Sequence, residues 1–352
     1  MKSKHAATLR LYGMLCVTIL ILLCGFSLTV GSRQTPFIPS LAAIPDAINF
    51  ALFPANNPLV GDPSEHAQLA VLIGGLRIPR TLVAVITGVT LGIAGAIIQG
   101  HTRNPLADPG VLGINAGGAA AIVGATYLGL SPSAWTAPLY AIAGAGIITV
   151  LVFLLSSTGK SSANPMTIIL AGTALTALLM AFVNAMVLTS TQALDSFRSW
   201  ATGSVEATPM QTFWVVLPFA VVGVLLAVPQ GRALNLLGLG EASAHALGLP
   251  VQRYRVLGIV AVAVLGGTAV AGAGPIAFLG LAAPHIVRSF TGPDYRLILP
   301  FSAAVGGILA LSADIISRIV VQPAELQMGI VLALVGVPIF ISLIRRGKVN
   351  AL

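Results

Sequence analysis

Apolar runs long enough to cross a bilayer recur along the whole chain, and the charged residues are squeezed into the gaps between them. The runs fall near residues 11–31, 69–99, 111–130, 135–155, 165–190, 210–229, 255–272, 275–291, 297–321 and 327–344. About 20 apolar residues in a helix span the hydrocarbon core, and a helix pairs its own backbone polar groups where no water can. The pattern predicts ten membrane helices. The seventh and eighth are least distinct, because only Gly272 to Gly274 separates them. An even count returns both termini to one side of the membrane.

Composition removes the soluble alternative. Only 8% of the 352 residues are charged and 56% are hydrophobic, with a mean hydropathy of +0.96. A water-soluble fold of this size needs a charged surface that the sequence does not supply. The expected class is an all-α polytopic membrane protein whose residues 1–352 form a single transmembrane domain.

The opening Lys2-Ser-Lys-His5, followed by the run from Leu11 to Val30, has the outline of a secretory signal. The run is longer than an ordinary h-region and no clean Ala-x-Ala site follows, so a retained first span is expected. Cys16 and Cys24 share that span, about 12 Å apart along a helix, too far for a bridge. They read as small apolar fillers.

Basic residues choose the side. With the N-terminus inside, the inner segments hold Lys2, Lys4, Arg10, Arg103, Lys160, Arg232, Arg253, Arg255, Arg288, Arg296, Arg345, Arg346 and Lys348. The outer segments keep Arg33, Arg77, Arg80, Arg198 and Arg318. This asymmetry follows the positive-inside rule. The net charge of +8 then reflects topology and anionic lipid, not nucleic acid. Small residues at spacings of four, such as Gly88 with Gly92 and Gly113 with Gly117, predict close helix crossings. Pro138, Pro218, Pro275, Pro300 and Pro338 predict kinked or broken helices.

Five segments carry chemistry. The inner loop from Gln99 to Pro109 combines Asn104-Pro105 with Asp108-Pro109, which is turn and helix-start chemistry. It reads as either a plain connector or a constriction at an inner mouth. The larger inner loop, about 230–254, contains a short amphipathic run from Glu241 to Leu247 bounded by Gly240 and Gly248. Such a helix either docks a peripheral partner or lies on lipid. At the outer start of the second span, Arg77-Ile-Pro-Arg80 sets two guanidiniums on a similar face. They await an acidic partner there or serve as snorkelling anchors. His285, in Gly280 to Arg288, reads as a structural residue. His101, His245 and His285 share no ligand spacing, so no metal site is expected. Asp314 and Arg318, at i and i+4, pair along the ninth span, with further Arg318 donors free to face outward. Glu325 is expected at the outer surface.

In order, these segments resemble the FecCD family of ABC-importer permeases, the type II importers of ferric siderophores, haem and cobalamin. The matching stretches are Arg77-Ile-Pro-Arg80, Arg103 to Gly113, Trp200-Ala-Thr-Gly-Ser204, Gly240-Glu241 with Ala246-Leu-Gly248, Phe278 to Arg288, Ala313-Asp314 with Arg318, and Glu325 with Gly329 and Gly336-Val-Pro338. The resemblance implies a ten-helix subunit of the bacterial cytoplasmic membrane, both termini cytoplasmic, dimerised with itself or a related permease around a central path. Two ATPase subunits would bind beneath, at Gly240, Glu241, Ala246, Leu247 and Gly248 within a coupling loop from about Leu239 to Val251. An extracytoplasmic binding protein would meet Arg77, Arg80 and Arg318. The inner gate maps to Asn104, Pro105 and Leu106, and a looser second gate to Asn164 through Met166.

No Gly-x-x-x-x-Gly-Lys-Ser/Thr phosphate loop occurs, so the chain is not expected to be an enzyme. No cofactor is expected on it, and ATP with magnesium would belong to the partner ATPase. A ferric siderophore is the expected cargo, with haem or cobalamin as the alternative. A remoter alternative is an ion-coupled secondary transporter, for which Asp314 would be the main candidate. An intramembrane enzyme would need acids and nucleophiles converging at one depth, and the ten acidic residues are scattered over loops on both sides.

Overall fold

The computed structural model describes residues 2–33, 35–55, 57–157 and 165–345. Among these the chain is helical throughout, with no strand. Helix α1 (Lys2–Thr29) leads into two short helices, α2 (Phe37–Ala42) and α3 (Ile44–Leu52). Then α4 (Glu65–Leu72) continues through a π-helical turn, Ile73–Arg77, into α5 (Ile78–Thr102). A 3-10 turn, Pro109–Leu112, precedes α6 (Ile114–Tyr127), followed by α7 (Thr136–Ser157), α8 (Pro165–Thr189) and the short α9 (Thr191–Ala201). Next come α10 (Met210–Ala227), two small helices α11 (Gln230–Leu237) and α12 (Glu241–Ala246), and α13 (Val251–Ala273). The chain closes with α14 (Leu279–Thr291), α15 (Tyr295–Ile319) and α16 (Met328–Arg345).

Each of the ten apolar runs coincides with a helix, and among the described residues seven helices are long and apolar enough to cross a membrane. α6 has 14 residues and α14 has 13, about 20 Å each at 1.5 Å per residue, short of the roughly 30 Å core. The rest of their apolar runs is irregular backbone. Before α6 lies the 3-10 turn, closed by Gly113 at φ 76°. Before α14 lies the segment from Gly274 to Phe278, with φ values of 71° and 67° at its ends. Hydropathy registers apolar residues whatever their backbone does, and irregular backbone survives at such depth only inside protein or a cavity.

α5 is the central post, packed by α15, α13, α14 and α10. Its crossing with α15 depends on absent side chains. A Cβ on Gly88 would strike the carbonyl of Gly306, and one on Gly92 the carbonyl of Ser302. Backbones therefore touch where hydrophobicity gives no preference between helix and lipid. Around this post, Ile97, Leu112, Ile114, Leu234, Leu265 and Ile298 form the largest core cluster. Outward faces of α1, α8 and α10 remain exposed and apolar, with Leu22, Leu178 and Leu225 among them. Apolar faces of this kind suit the bilayer or another membrane-embedded subunit.

Candidate functional site

At one end of the bundle the three expected arginines converge, but they are buried. Arg77, Arg80 and Arg318 are 5%, 7% and 1% exposed. Arg80 binds Asp314 Oδ1 at 2.8 Å and Glu325 Oε2 at 2.5 Å. Arg318 pairs with Asp314 Oδ2, as the i, i+4 spacing predicts. Its other donors do not face outward. Nη1 donates to the Ser27 carbonyl at 2.9 Å and the Val30 carbonyl at 3.2 Å, and Nη2 to Ser27 Oγ at 3.1 Å. Arg77 Nη1 donates to the carbonyls of Leu28 and Thr29 at 3.0 and 2.9 Å. Two guanidiniums thus cover the last-turn carbonyls of α1, which have no intrahelical donors, and sit at the negative end of its dipole.

Arg77 and Arg80 part company where the π-helical turn passes into α5. Their spacing of three predicts a shared face, yet Arg77 serves α1 while Arg80 serves α15 and the segment beyond it. Glu325 is likewise drawn in from the expected surface. Burial works against its charge, but hydrogen bonds from Ser32 and Arg80, with the attraction of Arg80 and Arg318, hold its carboxyl below the usual range. A cavity of about 270 Å³ opens over the cluster, lined also by Arg33 and Glu206.

At the opposite end, the loop from Arg103 to Pro109 is a compact turn. Asn104 Oδ1 accepts from the Leu106 N–H at 2.9 Å, which fixes Pro105 between them, and Leu106 is 41% exposed at the tip. Asp108 caps the 3-10 turn by accepting from the Gly110 N–H at 2.8 Å. Burial pushes its carboxyl up to about 6, only partly opposed by that bond. Behind the loop lies a residue that sequence reading overlooked, Gln99, fully buried on α5. It donates to the carbonyls of Ala107 at 3.3 Å and Gly280 at 3.4 Å, while its Oε1 accepts from Arg288 at 2.6 Å. One amide thus ties the expected gate to the break before α14. The signal was a lone amide ending the run Ala96-Ile-Ile98.

The short helix α12 forms as expected, between Gly240 at φ 103° and Gly248 at φ 81°. Ala244 and Leu249 anchor it to the core, whereas Glu241, Ala246, Leu247 and Gly248 face outward. Glu241 is already engaged by Arg255, at 2.6 Å. The expected second gate at Asn164 to Met166 lies outside the described residues, apart from the backbone that starts α8. The basic residues Lys160, Arg346 and Lys348 also lie outside them.

Segments that carry the family resemblance meet in space. Gly203, at φ 62°, lies against the Pro275 carbonyl and accepts from the Gly329 N–H at 2.9 Å. Residues 17–346 match the FecCD transport family. The chain belongs to that family. Among curated FecCD-like relatives, the ferric enterobactin permease FepD of Escherichia coli is 38% identical over 329 residues, covering 93% of each chain. The Fe(3+)-citrate permease YfmD of Bacillus subtilis is 33% identical, covering 99% of this chain and 98% of its own. The cobalamin permease BtuC of Halobacterium salinarum is 34% identical over 98% of this chain and 91% of its own. A solved inward-facing structure described as a metal-chelate type ABC transporter superposes with a TM-score of 0.79 at 26% identity, covering 94% of this chain and 97% of that one. As a FecCD member, the protein is a multi-pass ABC-importer permease.

Proposed function

We propose that this permease carries a ferric chelate of the siderophore class inward. The observation that carries this reading is the full-length likeness to permeases for ferric enterobactin and ferric citrate. In this reading the α11–α12 end is cytoplasmic and both termini share that side, as the basic residues suggest. ATPase subunits press on the exposed face of α12, and Asn104, Pro105 and Leu106 close the path from within. A substrate-loaded binding protein settles over the arginine end, where its carboxylates reach Arg77, Arg80 and Arg318 through the overlying cavity and compete with Asp314 and Glu325. A second permease subunit, identical or related, completes the path. The likeness to a cobalamin permease over nearly the whole chain favours cobalamin as the second reading.

Uptake assays in cells lacking the gene decide between the two. Radio-iron presented as siderophore chelates is expected to enter only when the gene is restored, while labelled cobalamin uptake stays unchanged. Restored cobalamin uptake with no effect on iron would replace the first reading by the second. Uptake that survives loss of every ATPase subunit but collapses with the proton gradient would sink both.

A further inference from the structure

A groove of about 740 Å³ runs down the flank of the bundle between α10 and α15, floored by Ile93 of α5. Val224 and Val228 form one wall, Leu299 and Ala303 the other. Val228 is 69% exposed, so the groove opens toward the surrounding bilayer. Its end on the α11 side is different in kind, because Arg232, Tyr254 and Arg296 close it there. The starts of α11 and α15 touch: a Cβ on Gly231 would stand 3.3 Å from the Arg296 Cα. Arg232 and Arg296 therefore line the same end of the groove, both exposed, and neither has an ion-pair partner among the described residues. The nearby acids are occupied. Asp294 accepts from Asn235 Nδ2 at 2.6 Å and from the Arg296 backbone N–H at 2.9 Å, and Glu241 is held by Arg255.

We propose that this groove is a binding site for an anionic phospholipid of the leaflet on the α11 side, its acyl chain along the apolar walls and its phosphate across Arg232 and Arg296. Two guanidiniums at one end of the groove, neither ion-paired, offer their donors and charge to a phosphate lying between them. The occupant must also be apolar over most of its length, which the walls require and a soluble anion lacks. The site is independent of the cargo assigned to the permease.

Full-length protein, delipidated in neutral detergent, is titrated with phosphatidylglycerol, phosphatidylcholine or inorganic phosphate, and bound lipid is counted by native mass spectrometry. Phosphatidylglycerol is expected to bind well above phosphatidylcholine. R232Q/R296Q should weaken it roughly twenty-five-fold, at about fivefold per arginine, while R232K/R296K keeps most of the preference and reports that the fold is intact. Ala303→Trp fills the groove without touching either charge and should also remove the bound lipid. Equal binding of the two lipids, or a preference surviving R232Q/R296Q or Ala303→Trp, overturns the assignment. So does displacement of lipid by inorganic phosphate at comparable concentration. Loss of self-association as the sole effect of Ala303→Trp would give the groove to a second copy and overturn it as well.

Discussion

Arg80 and Asp314 stand 234 positions apart in the chain and share a 2.8 Å hydrogen bond at the end of the α5–α15 crossing. Asp314 is fully buried and holds Arg318 with its other oxygen, so one carboxylate neutralises charge from two helices. Burying such a cluster is costly unless every member stays paired.

Asp314→Asn is therefore expected to destabilise the protein by about 3–5 kcal/mol, since Arg318 stays buried with its counter-charge gone and Arg80 keeps only Glu325. Glu325→Gln, at the half-buried edge of the cluster, should cost less than half of that. Thermal unfolding in detergent reads both. A melting temperature for Asp314→Asn equal to the wild type would show that the cluster does not hold these helices together.

The arginines need separate handling, because Arg77 and Arg318 also cover the end of α1. Arg77→Glu is expected to lower stability together with any binding-protein capture. The exposed Arg33→Glu should leave stability unchanged and weaken capture by its effect on the field at the cavity mouth. Capture unaltered by Arg33→Glu and by Glu325→Gln would count against docking at this end.

On the opposite side, Glu241→Arg places like charges against Arg255. Folding should survive, since Glu241 stands half exposed on a short surface helix and such a pair contributes on the order of 1 kcal/mol, while ATPase turnover becomes uncoupled from uptake. The swap Glu241→Arg with Arg255→Glu restores the internal pair. If coupling returns with the swap, Glu241 acts by positioning α12. If it stays lost, the carboxylate itself faces the ATPase. Normal uptake by Glu241→Arg alone would remove α12 from the coupling path.

The Gly88 contact gives a steric prediction. Gly88→Val drives Cβ into the Gly306 carbonyl, backbone against backbone, and should cost about 3 kcal/mol or more. Gly146→Ala on α7 meets nothing within 4 Å and should leave the melting temperature unchanged or slightly raised. Equal stability of the two variants would contradict the close α5–α15 approach.

Asp108 supplies a pH test. Its folded-state carboxyl is raised to about 6 from an ordinary 3.8, first by burial. The folded state therefore holds the proton more firmly than the unfolded chain, and stability should fall as pH rises from about 4 to about 6. Asp108→Asn keeps an oxygen to accept from Gly110 and should flatten that slope in detergent unfolding. A slope unchanged by the substitution would assign it to other groups.

Much of this was readable in order. The apolar runs located the seven long apolar helices among the described residues, the glycine spacing marked the α5 face that meets α15, and Gly240 with Gly248 bounded α12. Asp314 and Arg318 could be paired because i and i+4 are neighbours on any helix. Local pattern could not show that Arg80 completes that pair, that Arg77 turns to the end of α1, or that Gln99 joins the Ala107 loop to Gly280. Nor could it show that the runs before α6 and α14 are partly irregular, since hydropathy is blind to backbone conformation.

By itself, then, the sequence determined the solvent of this protein, the class of its fold and the ends of the bundle at which its charges gather. Those follow from transfer free energy and helical periodicity, which act residue by residue. Which charge meets which, and whether a guanidinium faces water or a neighbouring carbonyl, was decided only by the arrangement of helices around α5. That arrangement rests on contacts between residues hundreds of positions apart, and no local window of sequence contains them.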